Sequence, residues 1–406
     1  MNIIMRRPIN LIDQIANFNK DRISEMVALK YNFMAENVFR FYRGTCHLFY
    51  YDLQKAKALP PSPLTWISGD LHLENFGSYK GDNRLVYFDL NDFDEALLAP
   101  ALYEVSRMVS SIFLAFSILK IDQKKAHNMS QLFLKSYSAT LSKGKAYYIE
   151  PQTAKGIVFS FLEHASERKQ KDILRKRTIK KKDRLIMLMD DPRHFEIEKF
   201  LQRELHHHLT DWIMYNHDGP YNFEVIDSVF RLAGTGSVGL KRYVFLLKSL
   251  LNNNKYLLVE MKQAVESSLS PYIDIPQPAW SSHAERVTEV QRRMQNIPPA
   301  LLSTTSFKGD SFIIQEMQPT KDSINFRLIK DRYRDIYQVI DDMAMLTASS
   351  QLRSSGRQSA AVADELIAFG NNSQWQEVVL QYALEYTKKV KKDYAQFVKA
   401  FKAGAI

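Results

Sequence analysis

Gly69-Asp70-Leu-His-Leu-Glu-Asn75-Phe-Gly77 sets a carboxylate and a side-chain amide five positions apart between glycines. Transfer of a phosphoryl group needs a carboxylate beside the attacking hydroxyl and oxygen ligands for the metal that neutralises the phosphates. Asp70 suits the first task and Asn75 the second. A further metal carboxylate is expected soon after, at the end of an apolar strand. Leu85-Val-Tyr-Phe-Asp89-Leu-Asn-Asp92-Phe-Asp94-Glu95 offers several, of which Asp89 ends the strand most directly. The competing reading of so many acids is a helix-capping loop or a calcium-like site.

A second constellation lies much later. Phe230-Arg-Leu-Ala-Gly234-Thr-Gly236-Ser237-Val-Gly239 holds a complete G-x-G-x-x-G. In a dinucleotide-binding fold the third glycine opens a helix. Here Lys241 to Lys248 is β-forming in composition, so strand, glycine loop, strand is the expectation. That arrangement resembles the flap that covers phosphates in kinases. The next apolar run, Tyr256 to Lys262, ends in a lysine as the kinase lysine strand does, so Lys262 is expected to hold phosphates. Glu285 and Glu289 share one face of the following helix, and either is a candidate to orient Lys262. Gln315-Glu316-Met317-Gln-Pro319 falls where a hinge would offer backbone groups to adenine. Asp92-Phe93 likewise resembles the start of the metal-binding Asp-Phe-Gly signature, so Asp89 and Asp92 both stand as metal ligands.

The order of these parts is swapped relative to ordinary kinases, with Asp70 to Asp94 preceding Gly234 to Lys262. Circular permutation of a chain leaves a spatial site intact. Phe41-Tyr-Arg-Gly44, Gly69 to Gly77, Phe88 to Glu95 and Gly236-Ser-Val-Gly239 resemble the signatures of the bacterial family catalogued as domain of unknown function 2252. Gly69 to Asn75 is also similar to the catalytic loop of aminoglycoside and choline phosphotransferases. The likeness covers nearly the whole chain. One departure is Ser349-Ser-Gln-Leu-Arg353-Ser, where the family resemblance implies an Ala-His-Ala-Arg type of stretch.

The elements expected to position these groups make an α+β chain. Residues 1–60 read as helices, with aromatic and aliphatic residues at helical spacing from Ile23 to Tyr51. Strands are expected at Thr65 to Ser68 and Leu85 to Leu90, then a long helical stretch from Pro100 to about His217. Val225 to Leu232, Arg242 to Lys248, Tyr256 to Lys262, Leu302 to Phe307 and Phe312 to Met317 read as strands, with a helix over Ser281 to Gln295. From Ile324 to Phe401 the chain reads as helical, with a break at Ser354 to Gln358. The expected architecture is a circularly permuted, kinase-like, two-lobe fold: 1–222 helical, 223–320 small and β-rich, 321–406 completing the helical lobe.

Hydrophobic residues make up 45% of the 406, enough for a substantial core. The single cysteine excludes an intramolecular disulfide framework and suits a reducing compartment, so a cytoplasmic location is expected. Met1 to Asn19 lacks the apolar centre of a secretory signal. Met108 to Ile121, the most lipid-like stretch, is shorter than a membrane span, so no transmembrane segment is expected. The net charge of +10 is concentrated between Arg168 and Arg184, where ten Lys or Arg face two Asp. That run is either a solvated surface or a patch for phosphates, nucleic acid or an anionic surface. His206-His-His208 reads as a surface triplet, because consecutive helical residues point apart. Arg43 and Arg107 stand beside the motifs, as phosphate contacts or as partners for the nearby acids. The expected function is ATP- and magnesium-dependent phosphoryl transfer to an acceptor that the basic character suggests is acidic or phosphorylated. Nucleotidyl transfer and non-catalytic binding of nucleotide or polyanion are the alternatives.

Overall fold

Side-chain caps start several of the helices. Asn37, Asp122, Ser282 and Asn325 each accept a backbone N–H from the first turn that follows. The structure, a computed structural model, describes residues 10–406 apart from 183, 190–192, 218 and 320–321. The expected boundary at 320/321 and the segment before residue 10 therefore lie outside the described residues.

The first 56 residues supply α1 (Leu11–Asn19), α2 (Ser24–Ala35), α3 (Val38–Gly44) and α4 (Cys46–Ala56). Four short strands follow: β1 (Leu64–Ile67), β2 (Phe76–Lys80), β3 (Val86–Leu90) and β4 (Leu97–Pro100). The expected strands at 65–68 and 85–90 are β1 and β3. Their partners β4 and β2 carry glycine, proline or alanine and give no strand signal of their own. Next come α5 (Ala101–Ile118) and α6 (Gln123–Ser142). α5 is long and apolar enough to cross a bilayer, yet most of its surface is buried in the core, with Glu104 and Arg107 among its buried residues.

The stretch expected to be helical to His217 is interrupted. After α7 (Gly156–Glu167), the basic run folds as α8 (Gln170–Arg177) and a hairpin of β5 (Thr178–Lys181) and β6 (Arg184–Met187). β7 (His194–Phe195) and α9 (Lys199–Tyr215) follow.

β8 (Phe223–Arg231), β9 (Arg242–Ser249), β10 (Tyr256–Ala264), α10 (His283–Met294), β11 (Ser303–Phe307) and β12 (Asp310–Glu316) form the small unit. Its six-stranded sheet runs β11-β12-β10-β9-β8-β7, antiparallel throughout. Both of its faces are covered. Tyr243, Phe245 and Leu247 pack with α9 through Leu205, Leu209 and Trp212, while Val244 and Leu246 join Val229, Leu258 and Met317 on the other face. Alternation along β9 sends its apolar residues both ways. Lys308 and Gly309 turn β11 into β12 with positive φ at both positions, the geometry of a two-residue hairpin turn.

The chain ends with β13 (Asp322–Ser323), α11 (Phe326–Ile329), α12 (Tyr333–Arg353), α13 (Ala363–Asn371) and α14 (Gln374–Lys402). β13 extends the β2–β3 hairpin, and α14 and α6 flank α5, so the last residues complete the core begun by the first. The fold is mixed α+β with antiparallel sheets.

Candidate functional site

The loop after β1 is fixed before it reaches Asp70. Buried Glu104 accepts hydrogen bonds from Ser68 N and Ser68 Oγ, both at 2.6 Å, and Gln351 Nε2 lies 3.3 Å from its other oxygen. Gln351 in turn accepts from Tyr137 Oη at 2.5 Å. This glutamine stands in the late helix where the family resemblance implied a histidine, and it completes the Glu104 network. Gly69 has φ +87°, and a Cβ there would strike the Glu95 carbonyl, so only glycine fits. Asn75 then closes the loop on itself by donating Nδ2 to the Asp70 carbonyl at 2.6 Å.

Asp70 faces Arg107, which donates to Asp70 Oδ1 from Nε at 2.7 Å and also from Nη2. The guanidinium is wholly buried against the Tyr42 and Phe49 rings, and its Nη1 has no partner. Asp70 keeps 19% of its side-chain surface, so one edge of the carboxylate is open. Burial pushes its pKa up to about 6, with Arg107 opposing and Glu95 and Asp92 reinforcing the rise. Arg43 donates to His72 Nε2 at 3.0 Å and pairs with Glu74.

The acids after β3 divide into two groups. Asp89 is buried beneath Arg353 at 3.2 Å, and its Oδ1 accepts from Leu90 N. Burial raises it to about 6 against the pull of Arg353. It lines neither of the cavities described below. Asp92 and Asp94 line both, and there they meet Lys262 of β10, which pairs with Asp94 and lies 3.7 Å from Asp92. Burial and the neighbouring Asp92 raise the pKa of Asp94, with Lys262 opposing. The loop is pinned to the small unit. Arg286 donates to the carbonyls of Ala96, Asp94 and Val265, and Glu95 accepts from Ser268 N at 2.6 Å.

The partner expected for Lys262 on α10 is not there. Glu285 turns back to accept from Ser281 N at 2.5 Å, and Glu289 pairs with Arg292 at 3.0 Å. A helix-starting glutamate satisfies orphan N–H groups of its own first turn. Lys262 takes its carboxylate from the loop between β3 and β4 instead.

Over these acids lies the glycine loop, Gly234 to Gly239. Gly234 and Gly239 have φ +77° and +90°. Gly236 is close to both Arg43 and Asp70: a Cβ there would lie 3.4 Å from the Arg43 carbonyl and 3.9 Å from Asp70 Oδ2. Ser237 Oγ is engaged by the Ala233 carbonyl at 3.0 Å. The loop is held from outside by the N-terminal helices. Arg22 donates to the carbonyls of Gly236 at 2.8 Å and Val238 at 2.6 Å, Ile23 N to Gly239 O, and buried Lys30 to Gly236 O at 3.2 Å. Burial lowers the pKa of Arg22 to about 10 and, with Arg22 beside it, holds Lys30 well below the ordinary lysine value.

Between loop and acids is an enclosed pocket of about 60 Å³ lined by Asp70, Asp92, Asp94, Glu95 and Gly234 to Ser237. It adjoins a cleft of about 700 Å³ whose wall includes Asn75, Asp92, Asp94, Lys262, Arg231, Arg242, Glu260, Glu316 and Met317. α8 brings Lys176 and Arg177 to the same cleft, which Arg168 at the end of α7 also lines, and it packs Ile173 and Leu174 with Met317 and Leu258. The basic run is thus part of the cleft wall. At the end of β12 Glu316 N donates to Ala300 O at 3.0 Å and the Glu316 side chain pairs with Arg84, and just beyond it Met317 N donates to Leu258 O at 2.8 Å. These two amides are already used. His206 and His208 meet Ser228 and Thr305 respectively, while His207 lies near Asp211.

Magnesium is normally held by one or two carboxylates together with substrate phosphates. Asp92 and Asp94, with Asn75 on the same cleft, fit that donor set, and the Lys262 ammonium between them shows that they accept a cation. Among the described residues no group of three or more His, Cys, Asp or Glu is arranged to hold a metal by itself.

Sequence reasoning missed Glu104, Arg22, Lys30, Arg231 and Arg242. Each acts through a partner far along the chain. Arg231 and Arg242 alone carried a signal, as cations flanking the glycine loop.

No curated protein and no solved structure matches the chain. A bacterial family described as "Uncharacterized protein conserved in bacteria (DUF2252)" matches residues 22–400, and the chain belongs to that family.

Proposed function

We propose that this protein is a magnesium-dependent phosphotransferase on a permuted kinase-like fold, with ATP as the donor to test first. The observation that carries this reading is the meeting of Lys262 with Asp92 and Asp94 beneath a glycine loop that covers Asp70. The order strand, glycine loop, strand, lysine strand, helix, hairpin and linker also follows that of a kinase small lobe.

In this reading Asp70 orients the acceptor hydroxyl and takes its proton as the new O–P bond forms. The bond to the leaving phosphate breaks in line with it. Gly234 to Gly239 cover the phosphates and Lys262 pairs with them once it leaves Asp94. Asn75, Asp92 and Asp94 would hold magnesium, which when bound would neutralise phosphate charge. Asp89 serves the fold through Arg353. Incubation with ATP labelled at the γ or the α phosphate tests the reaction. Label passing to an acceptor from γ alone supports it, and label from α alone moves the assignment to nucleotidyl transfer.

One observation favours a non-catalytic reading. Asp70 is paired with Arg107, and Gly236 sits over it. Magnesium-dependent nucleotide binding without turnover, unchanged in Asp70→Asn, would decide for a binding module.

A further inference from the structure

Arg231 and Arg242 are the residues that end β8 and begin β9, so they bracket the glycine loop. The β8–β9 ladder pairs Phe230 with Tyr243, which makes Arg231 and Arg242 the next opposed position. In the β9–β10 ladder Arg242 pairs directly with Lys262. Three cations therefore stand in one row across three adjacent strands, and all three side chains line the 700 Å³ cleft. Strand spacing sets the row's length at about 10 Å.

Like charges placed directly opposite one another on a sheet are destabilising. Here the row is nearly buried, which raises the cost. Glu260, two residues before Lys262 on the same face, offsets part of it. It accepts from Arg231 at 2.8 Å and lies 3.5 Å from Arg242 Nε without hydrogen-bond alignment. The Nε atoms of Arg231 and Arg242 are both buried without a hydrogen-bond partner. Burial, with Arg242, Arg177 and Arg193 acting against Glu260, holds the Arg231 pKa down at about 10. A magnesium ion on Asp92 and Asp94 would release Lys262 and leave the row with more positive charge. The wall around it is polar, with Gln315 hydrogen-bonded to Glu260 at 3.2 Å.

We infer that Arg231, Arg242 and Lys262 form a linear subsite for a chain of contiguous phosphates, a di- or triphosphate moiety rather than a single phosphate. Guanidinium forks match phosphate oxygens in pairs, and a row matches a chain better than it matches one group. The apolar ground beside the row is occupied by Ile173 and Leu174, so the phosphates supply most of the recognition. The inference deepens the phosphotransferase reading by naming what the donor must carry, and it is tested by binding alone.

The test is titration calorimetry on the full chain with magnesium and four probes: orthophosphate, AMP, inorganic tripolyphosphate and ATP. Tripolyphosphate is expected to bind at least tenfold tighter than orthophosphate or AMP. ATP equal to tripolyphosphate makes the chain of phosphates the whole ligand, whereas ATP ten times tighter makes the source a nucleotide. Arg242→Gln should weaken tripolyphosphate at least tenfold, and Glu260→Gln should tighten it several-fold, a gain that misfolding cannot imitate. Orthophosphate binding as tightly as tripolyphosphate overturns the inference. So does wild-type affinity in folded Arg242→Gln, or no gain in Glu260→Gln. Row-dependent binding with no transfer from any triphosphate would remove the phosphotransferase reading and leave this subsite standing. Transfer that tolerates Arg231→Gln and Arg242→Gln would do the reverse.

Discussion

Lys262 of the small unit closes an ion pair with Asp94 of the loop between β3 and β4, 168 positions earlier, and lies 3.7 Å from Asp92. Lys262 lies near the end of β10, and Arg286 and Ser268 pin the loop that carries Asp94 to the small unit. If the pair is the resting form of a phosphate and metal site, Lys262→Met should lower γ-phosphate transfer by about 10²–10³-fold, the scale of losing one preorganised charge contact. Initial rates with labelled ATP check this, with circular dichroism to show that the variant is folded.

Asp70→Ala leaves Arg107 buried without its carboxylate. Breaking a buried pair from one side costs about 3 kcal/mol or more, so urea unfolding should show a loss of that order together with the loss of transfer. In the wild type, Asp70 must be ionised to accept a proton. With its pKa pushed up to about 6, transfer should rise as pH rises through 6 and level off above 7. A flat profile from pH 5 to 8 would remove Asp70 from the base role.

Asp89 and Asp92 are separable by mutation. Asp89→Asn breaks the contact with Arg353 in a buried setting and is expected to cost stability while keeping magnesium-dependent transfer. Asp92→Asn should keep stability within about 0.5 kcal/mol and raise the magnesium requirement. Melting temperature and magnesium titration of the transfer rate, measured side by side, distinguish them.

Asp342 gives a pH signature away from the cleft. Burial raises its pKa to about 7 from an unfolded value of 3.8, with Asp341 adding to the rise and Gln338 and Lys155 opposing it. The folded state therefore binds the extra proton. Its stabilising effect is complete below about pH 4 and is lost as pH rises through 7. Asp342→Asn should gain little at pH 4 and about 1–2 kcal/mol over wild type at pH 8, discounted for its remaining exposure. Thermal melts across that range test it.

Gly239 has φ +90°, and a Cβ there would come within 2.9 Å of Arg22 Cβ. Gly239→Ala should destabilise by about 1–3 kcal/mol and loosen the glycine loop, seen as faster hydrogen exchange over 234–240.

The motifs whose spacing is local were visible in the sequence as patterns. Asp70 with Asn75, and the glycines from Gly234 to Gly239, carry their spacing within a few residues, and the alternation of β8, β9 and β10 announces their strands. The partner of Lys262 was not readable, because helical spacing offered Glu285 or Glu289 while tertiary packing supplied Asp94. β2 and β4 escaped because Gly77 and Pro100 speak against strands, and only pairing with β3 and β1 makes them so. The basic run gave its charge but not its place, since α8 reaches the cleft through two apolar residues, Ile173 and Leu174. Arg22 and Lys30 carry no local signal, because the glycine-loop carbonyl they both reach, that of Gly236, lies 214 and 206 positions away.

That tether changes the thermodynamics of whatever binds beneath it. A loop free to flap must be ordered by its ligand, and the entropy of ordering is subtracted from the affinity. Here the outward carbonyls of Gly236, Val238 and Gly239 are already held by Arg22, Lys30 and Ile23. A ligand bound under the loop would meet it preorganised, so that binding should carry a small conformational-entropy penalty.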